Sequence, residues 1–135
     1  MKLVICGSDS FCKEKVKIKQ DLAGLGVEGV LDEWDERVEK PADNEVSNFE
    51  LKKKSLIIAY FNHILESDGI LVANFDKNGI KNYIGANTFL EMGYAFALKK
   101  KIFILNGVPN QKYILDELKT FEAKMLESNL HNLLK

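Results

Sequence analysis

The stretch Gly69-Ile70-Leu71-Val72-Ala73-Asn74 decides the fold, because it is an uninterrupted apolar run between a glycine and an asparagine. Runs of this kind are typical of strands that are buried on both faces in a parallel sheet covered by helices. A second apolar run, Lys101-Ile102-Phe103-Ile104-Leu105, ends at Asn106-Gly107. The segment between the two runs, Thr88 to Lys99, is largely apolar and has the length of a helix. We therefore predict a βαβ unit whose first strand is the centre of the sheet.

The segments on the N-terminal side continue the alternation of strand and helix. Lys2 to Cys6 is a short apolar run that ends at Gly7-Ser8, and Asp9 to Leu25 carries apolar residues at helical spacing. Glu28 to Leu31 is predicted as a second strand. A further helix precedes the central strand and ends near Glu66, because its apolar positions recur with helical periodicity.

The C-terminal part of the chain permits two interpretations. Gln111 to Lys119 has helical periodicity, Phe121 to Met125 alternates between apolar and polar residues, and Leu130 to Leu134 follows a capping serine. We predict helix, short strand and helix, and a single long helix is the alternative. The resulting architecture is one domain over residues 1–135. It is a three-layer α/β/α sandwich, flavodoxin- or Rossmann-like, with a five-stranded, mostly parallel sheet and right-handed crossovers.

Composition restricts the class of partner. The chain has 135 residues, of which 46% are hydrophobic, and this suffices for one domain with a sizeable core. A net charge of −1 argues against a general nucleic-acid binder, which would carry a basic excess. No apolar run is long enough to span a bilayer or to act as a signal-peptide core. We therefore expect a cytoplasmic protein that binds a small molecule rather than nucleic acid or membrane.

A long polar segment, Asp32 to Ser47, interrupts the pattern and contains seven acidic residues. Segments of this length inside a compact domain are usually either functional lids or simply mobile. The sequence is compatible with both interpretations.

The ligand site of such a sheet is expected at the carboxyl ends of its strands. There the turn Gly7-Ser8, the strand end Asn74 and the loop that leads to Glu91 should meet. Gly7-Ser8-Asp9-Ser10 precedes a helix whose free N–H groups can bind a phosphate, but it has neither Walker A nor dinucleotide-binding spacing. The polar loop from Lys77 to Gly85 can contact an anion too, although both segments also suit ordinary turns.

Glu91 is an isolated acid near the start of an almost wholly apolar helix. One interpretation is a capping box, in which Thr88 and Glu91 each bond the other's free backbone N–H. The other is functional: the positive end of the helix dipole keeps the carboxylate ionised, as a nucleophile or as an anchor for a substrate hydroxyl. Because no histidine or cysteine cluster accompanies it, we expect neither a metal nor a cofactor.

Three segments in chain order carry a resemblance to a known family: Val4-Ile5-Cys6-Gly7-Ser8, Ser67 to Asn74, and Phe89-Leu90-Glu91-Met92-Gly93-Tyr94-Ala95 before the strand that starts near Lys101. Together they resemble the nucleoside 2-deoxyribosyltransferase superfamily, which includes the deoxynucleoside 5′-monophosphate N-glycosidases. The resemblance implies that Glu91 attacks C1′ of the sugar and that the base leaves. Another base, or water, then resolves the glycosyl-enzyme intermediate.

The resemblance also implies places for the substrate-binding residues. Gly7 and Ser8 would lie beside the sugar or its 5′-phosphate, Asn74 near the base, and Gly85 and Asn87 in the loop that lines the sugar or phosphate pocket. Family members are commonly dimers or larger assemblies in which a neighbouring subunit completes the site. A homodimer or a higher homo-oligomer is therefore expected.

The chain departs from the family pattern at the residues that assist the nucleophile. Val4 stands where a tyrosine is often found, a family acid is replaced around Tyr60, and Gly85 takes the place of an acid or serine. Tyr60, Asn62 or Asn87 are the residues that would substitute for these groups.

Three functions follow from these observations. The first is an enzyme that cleaves or transfers the N-glycosidic bond of a nucleoside or nucleoside 5′-monophosphate through Glu91. The second is a non-catalytic module of the same fold that senses a nucleotide, with Glu91 holding a ribose hydroxyl. The third is an interaction domain in which Glu91 caps its helix and the acidic residues 32–45 dock a protein.

Overall fold

Strands and helices alternate along the residues that the structure, a computed structural model, describes: 1–31 and 46–135, with side chains in the second range from residue 50 onward. The strands are β1 (Lys2–Cys6), β2 (Glu28–Val30), β3 (Gly69–Val72), β4 (Lys101–Ile104) and β5 (Lys124–Met125). The helices are α1 (Cys12–Gly24), α2 (Val46–Leu65), α3 (Ala86–Ala97) and α4 (Lys112–Thr120). Short 3-10 helices span Asp9–Phe11 and Leu130–Leu134.

The five strands form one sheet in the order β2-β1-β3-β4-β5, and every neighbouring pair is parallel. The predicted five-stranded sheet is thus confirmed, and it is parallel throughout. β5 pairs with β4 through Phe103 opposite Lys124, which decides the C-terminal alternative in favour of helix, short strand and helix. The chain leaves β1 toward β2 and returns to β3, so the strand order reverses between β1 and β3. Ligands of open parallel sheets bind beside such a reversal.

The sheet is covered on both faces, as a three-layer sandwich requires. Alternate residues of a strand point to opposite faces, so Leu3 and Ile5 of β1 pack in one cluster while Val4 and Cys6 pack in the other. The first cluster contains residues of α1 and of the C-terminal 3-10 helix. The second contains residues of α2, α3 and α4. The apolar strand pattern of the sequence is therefore explained by burial on both sides.

Two glycines allow the central strands to approach one another closely. A Cβ on Gly69, the first residue of β3, would lie 2.3 Å from the carbonyl oxygen of Lys101. A Cβ on Gly7, directly after β1, would lie 2.7 Å from the carbonyl oxygen of Ala73. Both distances are far shorter than a van der Waals contact. Gly7 therefore lets the turn after β1 lie against the end of β3, where the predicted site begins.

Of the polar segment Asp32 to Ser47, predicted as a lid or a mobile loop, residues 32–45 lie outside the described residues, as does the whole of the predicted docking element, and residues 46 and 47 begin α2. Within 1–31 and 46–135, no helix combines the length and the apolar character that crossing a bilayer requires.

Candidate functional site

A cleft opens beside the end of β1, between α2 and α3. Counted to its open mouth and including open solvent, it measures about 740 Å³. Its lining comes from the turn after β1, from α2 and from α3: Gly7, Asp9, Lys53, Leu56, Ile57, Tyr60, Phe61, Asn87, Leu90 and Glu91. We name this space the α2–α3 cleft.

The lining residues recur at helical spacing, so each helix contributes one face. On α2 they begin at Lys53 and return one turn and two turns later, ending at Tyr60 and Phe61. On α3, Asn87 and Glu91 are four residues apart and therefore share a face. The walls are mainly apolar, with a few polar groups between them. Such a composition is typical of sites that bind and orient a small molecule.

The position of Glu91 in its helix corrects the capping interpretation. The N-cap of α3 is Gly85, and the helix begins at Ala86 without a side-chain cap and without an acid in its first turn. Thr88 is therefore already inside the helix, and it is buried. Glu91 lies in the second turn, so the predicted capping box is wrong. The helix-dipole argument is weakened as well, because that effect is concentrated in the first turn.

Glu91 nevertheless faces the cleft. The residue is half-buried and lines the α2–α3 cleft, and its oxygen Oε2 is buried. A carboxylate in a partly dehydrated, mainly apolar surrounding acts more strongly on a nearby charge than one in water. Tyr60, Asn87 and Gly7 line the same cleft, and their role as substrate-binding residues stays a prediction.

The turn after β1 is approached by two lysines. Lys77 donates from Nζ to Ser8 Oγ at 2.7 Å, and the Oγ atoms of Ser8 and Ser10 are 2.9 Å apart. Lys15 is only 1% exposed and donates from Nζ to the carbonyl oxygen of Gly7 at 3.1 Å. Ser8 is not among the lining residues, but both of its neighbours are. The turn therefore combines hydroxyl groups with positive charge at the rim of the cleft.

Asn74 lies outside the cleft, which corrects its predicted position beside a ligand. It is fully buried, and Nδ2 donates to Asn82 O at 3.3 Å and to Gly107 O at 2.9 Å. Its Oδ1 accepts from Asn106 N at 2.9 Å, and its backbone oxygen accepts from Asn106 Nδ2 at 2.8 Å. We name Asn74, Asn82, Asn106 and Gly107 the asparagine network. It joins the ends of β3 and β4 and leaves Asn74 turned inward.

Gly85 also has a different place from the one expected, because it is the N-cap of α3 and does not line the cleft. Conversely, Asp9 and Lys53 line the cleft although the sequence did not single them out as site residues. The spacing of Lys53 to Tyr60, two helical turns, is the signal that could have identified the lysine. In the described part of the chain, no three His, Cys, Asp or Glu side chains are grouped to hold a metal ion.

Comparison with known proteins gives a structural match only. No protein-family model and no curated protein matches the chain. The chain is similar in structure to the CMP N-glycosidase BcmB of Clostridium botulinum, with a TM-score of 0.56 and 15% sequence identity over 99% of this chain and 97% of that one. An azoreductase from Bacillus anthracis str. Sterne gives a TM-score of 0.43 and 17% identity over 99% of this chain and 89% of that one. The first match shows that the two proteins share one fold over nearly the whole of both chains.

Proposed function

We propose that the protein cleaves or transfers the N-glycosidic bond of a nucleoside 5′-monophosphate, with Glu91 as nucleophile and without a cofactor. The observation that carries the proposal is the position of Glu91: it lines a mainly apolar cleft at the reversal of strand order, with Oε2 buried. The likeness in fold to a CMP N-glycosidase over nearly the whole of both chains supports it.

The proposed reaction has two steps. A carboxylate oxygen of Glu91 forms a bond to C1′ while the bond from C1′ to the base nitrogen breaks, and the electron pair leaves with the base, which takes up a proton. Water then attacks C1′ of the resulting ester, which frees the carboxylate and yields the sugar phosphate with retained configuration. A second base attacking in place of water gives the transferred product.

The turn after β1 supports a substrate that carries a 5′-phosphate. Ser8 and Ser10 supply hydroxyl groups, and Lys77 supplies an ammonium group within hydrogen-bond distance of Ser8. Phosphate oxygens accept charge-assisted hydrogen bonds from such donors. Asp9 lies in the same turn and would oppose an anion beside it. We therefore place the phosphate on the Ser8 and Lys77 side of the turn and the sugar toward Glu91.

The proton for the leaving base has two candidate donors in the cleft. Tyr60 takes the place of the family's acid on the helix before β3 and lines the cleft with Glu91. Asp9 is the other carboxylate in the lining. Retaining glycosidases use two carboxyl groups, one as nucleophile and one as acid and base. Either residue could take the second role here.

A nucleotide sensor is the second candidate function, and the helix start favours it. Gly85 provides no side chain at the place where the family carries an acid or serine, so α3 begins without that helper. A protein of this kind would bind the nucleotide in the α2–α3 cleft and use Glu91 to hold a ribose hydroxyl.

We further propose that the protein assembles as a homodimer or a higher homo-oligomer. Leu51, Ile58 and Leu65 are at least 49% exposed and recur every seven residues on α2, and such an apolar stripe on one helix face suits a contact with another copy. Sedimentation velocity tests this proposal, and a monomer throughout the micromolar range would contradict it.

The test of the enzyme proposal is chromatographic. Wild type, Glu91→Gln and the control Glu117→Gln, which alters an exposed glutamate of α4, are incubated with nucleosides, deoxynucleosides and their 5′-monophosphates, each with and without an acceptor base. Free base is expected from wild type and the control, and a loss of about a thousandfold or more from Glu91→Gln.

The outcomes separate the candidate functions. A swapped base in the presence of acceptor makes the protein a transferase, and free base alone makes it a hydrolase. A nucleotide that binds to wild type without any product contradicts the enzyme and supports the sensor, and weaker binding to Glu91→Gln is then expected because Glu91 holds a ribose hydroxyl.

A further inference from the structure

Gln111 is a buried polar residue outside the α2–α3 cleft, and its contacts reach the beginning of α3. It lies just before α4 and is 2% exposed. Its carboxamide pairs with the peptide group of a residue 27 positions earlier, since Ile84 N donates to Oε1 at 2.8 Å and Nε2 donates to Ile84 O at 2.9 Å. Nε2 also donates to the hydroxyl of Tyr113 at 2.9 Å.

This pairing directs the side chain away from its own helix. Gln111 occupies the N-cap position of α4, but it makes no side-chain capping bond there. Ile84 is itself 2% exposed. Loss of both hydrogen-bond partners of a buried peptide group strongly lowers the stability of the folded protein. The carboxamide therefore bonds both the N–H and the carbonyl oxygen of Ile84, as the backbone of a neighbouring strand would.

The pairing fixes the place where α3 begins. Gly85, the N-cap, follows Ile84 directly, and its carbonyl oxygen accepts from Phe89 N at 2.9 Å. A glycine has no side chain with which to cap the helix, so the position of the first turn depends on the residues before it. Asn87 and Glu91 lie on the first two turns of this helix and line the cleft.

We infer that Gln111 is a positioning residue for the site: by holding Ile84, it fixes the turns of α3 that present Asn87 and Glu91 to the α2–α3 cleft. A looser start of α3 is measurable whether or not the protein is an enzyme. If Glu91 is the nucleophile, as the proposed function requires, loss of this pairing also slows the chemical step, because small displacements of a reacting group are costly.

The test uses three variants. Gln111→Met keeps the length of the side chain and removes both bonds to Ile84. Tyr113→Phe removes only the third hydrogen bond, and it alters a residue that is 75% exposed. Leu118→Ala opens a cavity at a buried position of α4 and controls for a general loss of stability.

Amide hydrogen exchange of Ile84 and Phe89, followed by NMR, is the primary measurement. In Gln111→Met, the protection factors of both amides are expected to be roughly tenfold or more lower than in Leu118→Ala. In Tyr113→Phe, they are expected to equal those of wild type. With a substrate that wild type turns over, Gln111→Met is expected to lower kcat by about tenfold to a hundredfold while KM stays within about twofold.

Three results would overturn the inference: a loss of protection confined to Ile84 while Phe89 stays as in wild type, equal losses in Gln111→Met and Leu118→Ala, or a change in KM alone. If Gln111→Met does not fold, Gln111→Ala, which removes both bonds to Ile84 and leaves room for water at its peptide group, is measured in its place, and normal protection of Phe89 there contradicts the inference. If wild type turns over no substrate, the proposed function fails while the exchange of Phe89 still decides the role of Gln111.

Discussion

The asparagine network and the α2–α3 cleft lie at the same edge of the sheet, and they use their polar side chains in opposite ways. Asn74 is fully buried, and both polar atoms of its side chain bond backbone groups of the loops after β3 and β4. Glu91 instead lines the open α2–α3 cleft. A polar residue at a strand end therefore belongs to a binding site only where the fold leaves a cavity in front of it. Where surrounding backbone groups use all of its bonding capacity, it stabilises the fold.

The largest effect expected on stability is that of Asn74→Ala. The substitution leaves Asn82 O, Gly107 O and Asn106 N without their buried partner, so the free energy of unfolding should fall by about 3 kcal/mol. Urea unfolding measures this change. The nucleotide affinity of the folded variant should equal that of wild type, because Asn74 does not line the cleft.

Asn110→Ala is the matched control for this prediction, since it alters an exposed asparagine in the loop after β4. It should change the free energy of unfolding by less than about 0.5 kcal/mol. Equal free energies of unfolding in both variants would contradict the structural role of the asparagine network. A loss of nucleotide binding in folded Asn74→Ala would show that Asn74 contributes to the binding site.

Sequence patterns identified every strand and helix of the described chain, because burial on two faces and helical periodicity are properties of short segments. They did not identify which loops meet Asn74, since its partners include Gly107, 33 residues away. They also placed the start of α3 too late, at Thr88 rather than Ala86. That boundary is set by Gly85 and by the distant pairing of Ile84 with Gln111. Long-range contacts of this kind leave no periodic signal in the sequence.

Within the cleft, Asp9 and Tyr60 are the two candidate proton donors to the leaving base. Asp9→Asn and Tyr60→Phe both keep the shape of the side chain and remove the acidic proton. The variant that lacks the donor should lose about a hundredfold in kcat, as expected for general acid catalysis. The other should retain a rate near that of wild type. Steady-state turnover of a nucleoside 5′-monophosphate that wild type cleaves measures both.

A substrate whose base leaves easily provides the control for these two variants. A nucleotide with a low-pKa leaving base needs no proton donor, so its turnover should be restored in the affected variant. Equal and unrescued losses in both variants would show that neither residue supplies the proton.

A smaller effect is expected at the rim of the cleft, where Lys77 contacts Ser8. Lys77→Met should weaken binding of a nucleoside 5′-monophosphate by roughly tenfold, the usual value of one charge-assisted hydrogen bond, and leave the matching nucleoside unaffected. Lys81→Met alters an exposed lysine of the same loop and is the matched control. Isothermal titration calorimetry measures both ligands. Equal weakening of the nucleotide and its nucleoside would argue against a phosphate at this turn.

The smallest effect is expected from Gly85→Ser, which restores one of the family's helper side chains at the N-cap of α3. Serine is favoured over glycine at this position by only a few tenths of a kcal/mol, and the added Cβ would lie 3.3 Å from the movable ring of Tyr83. Thermal unfolding should therefore be nearly unchanged, while turnover rises if the missing helper limits the rate. Gly93→Ala adds a Cβ to the same helix where no atom lies within 4 Å, and it separates helix stability from catalysis. Higher turnover in Gly85→Ser, but not in Gly93→Ala, would show that the active site lacks one helper group. Unchanged turnover in both variants would favour the sensor, whose cleft binds the nucleotide without cleaving it.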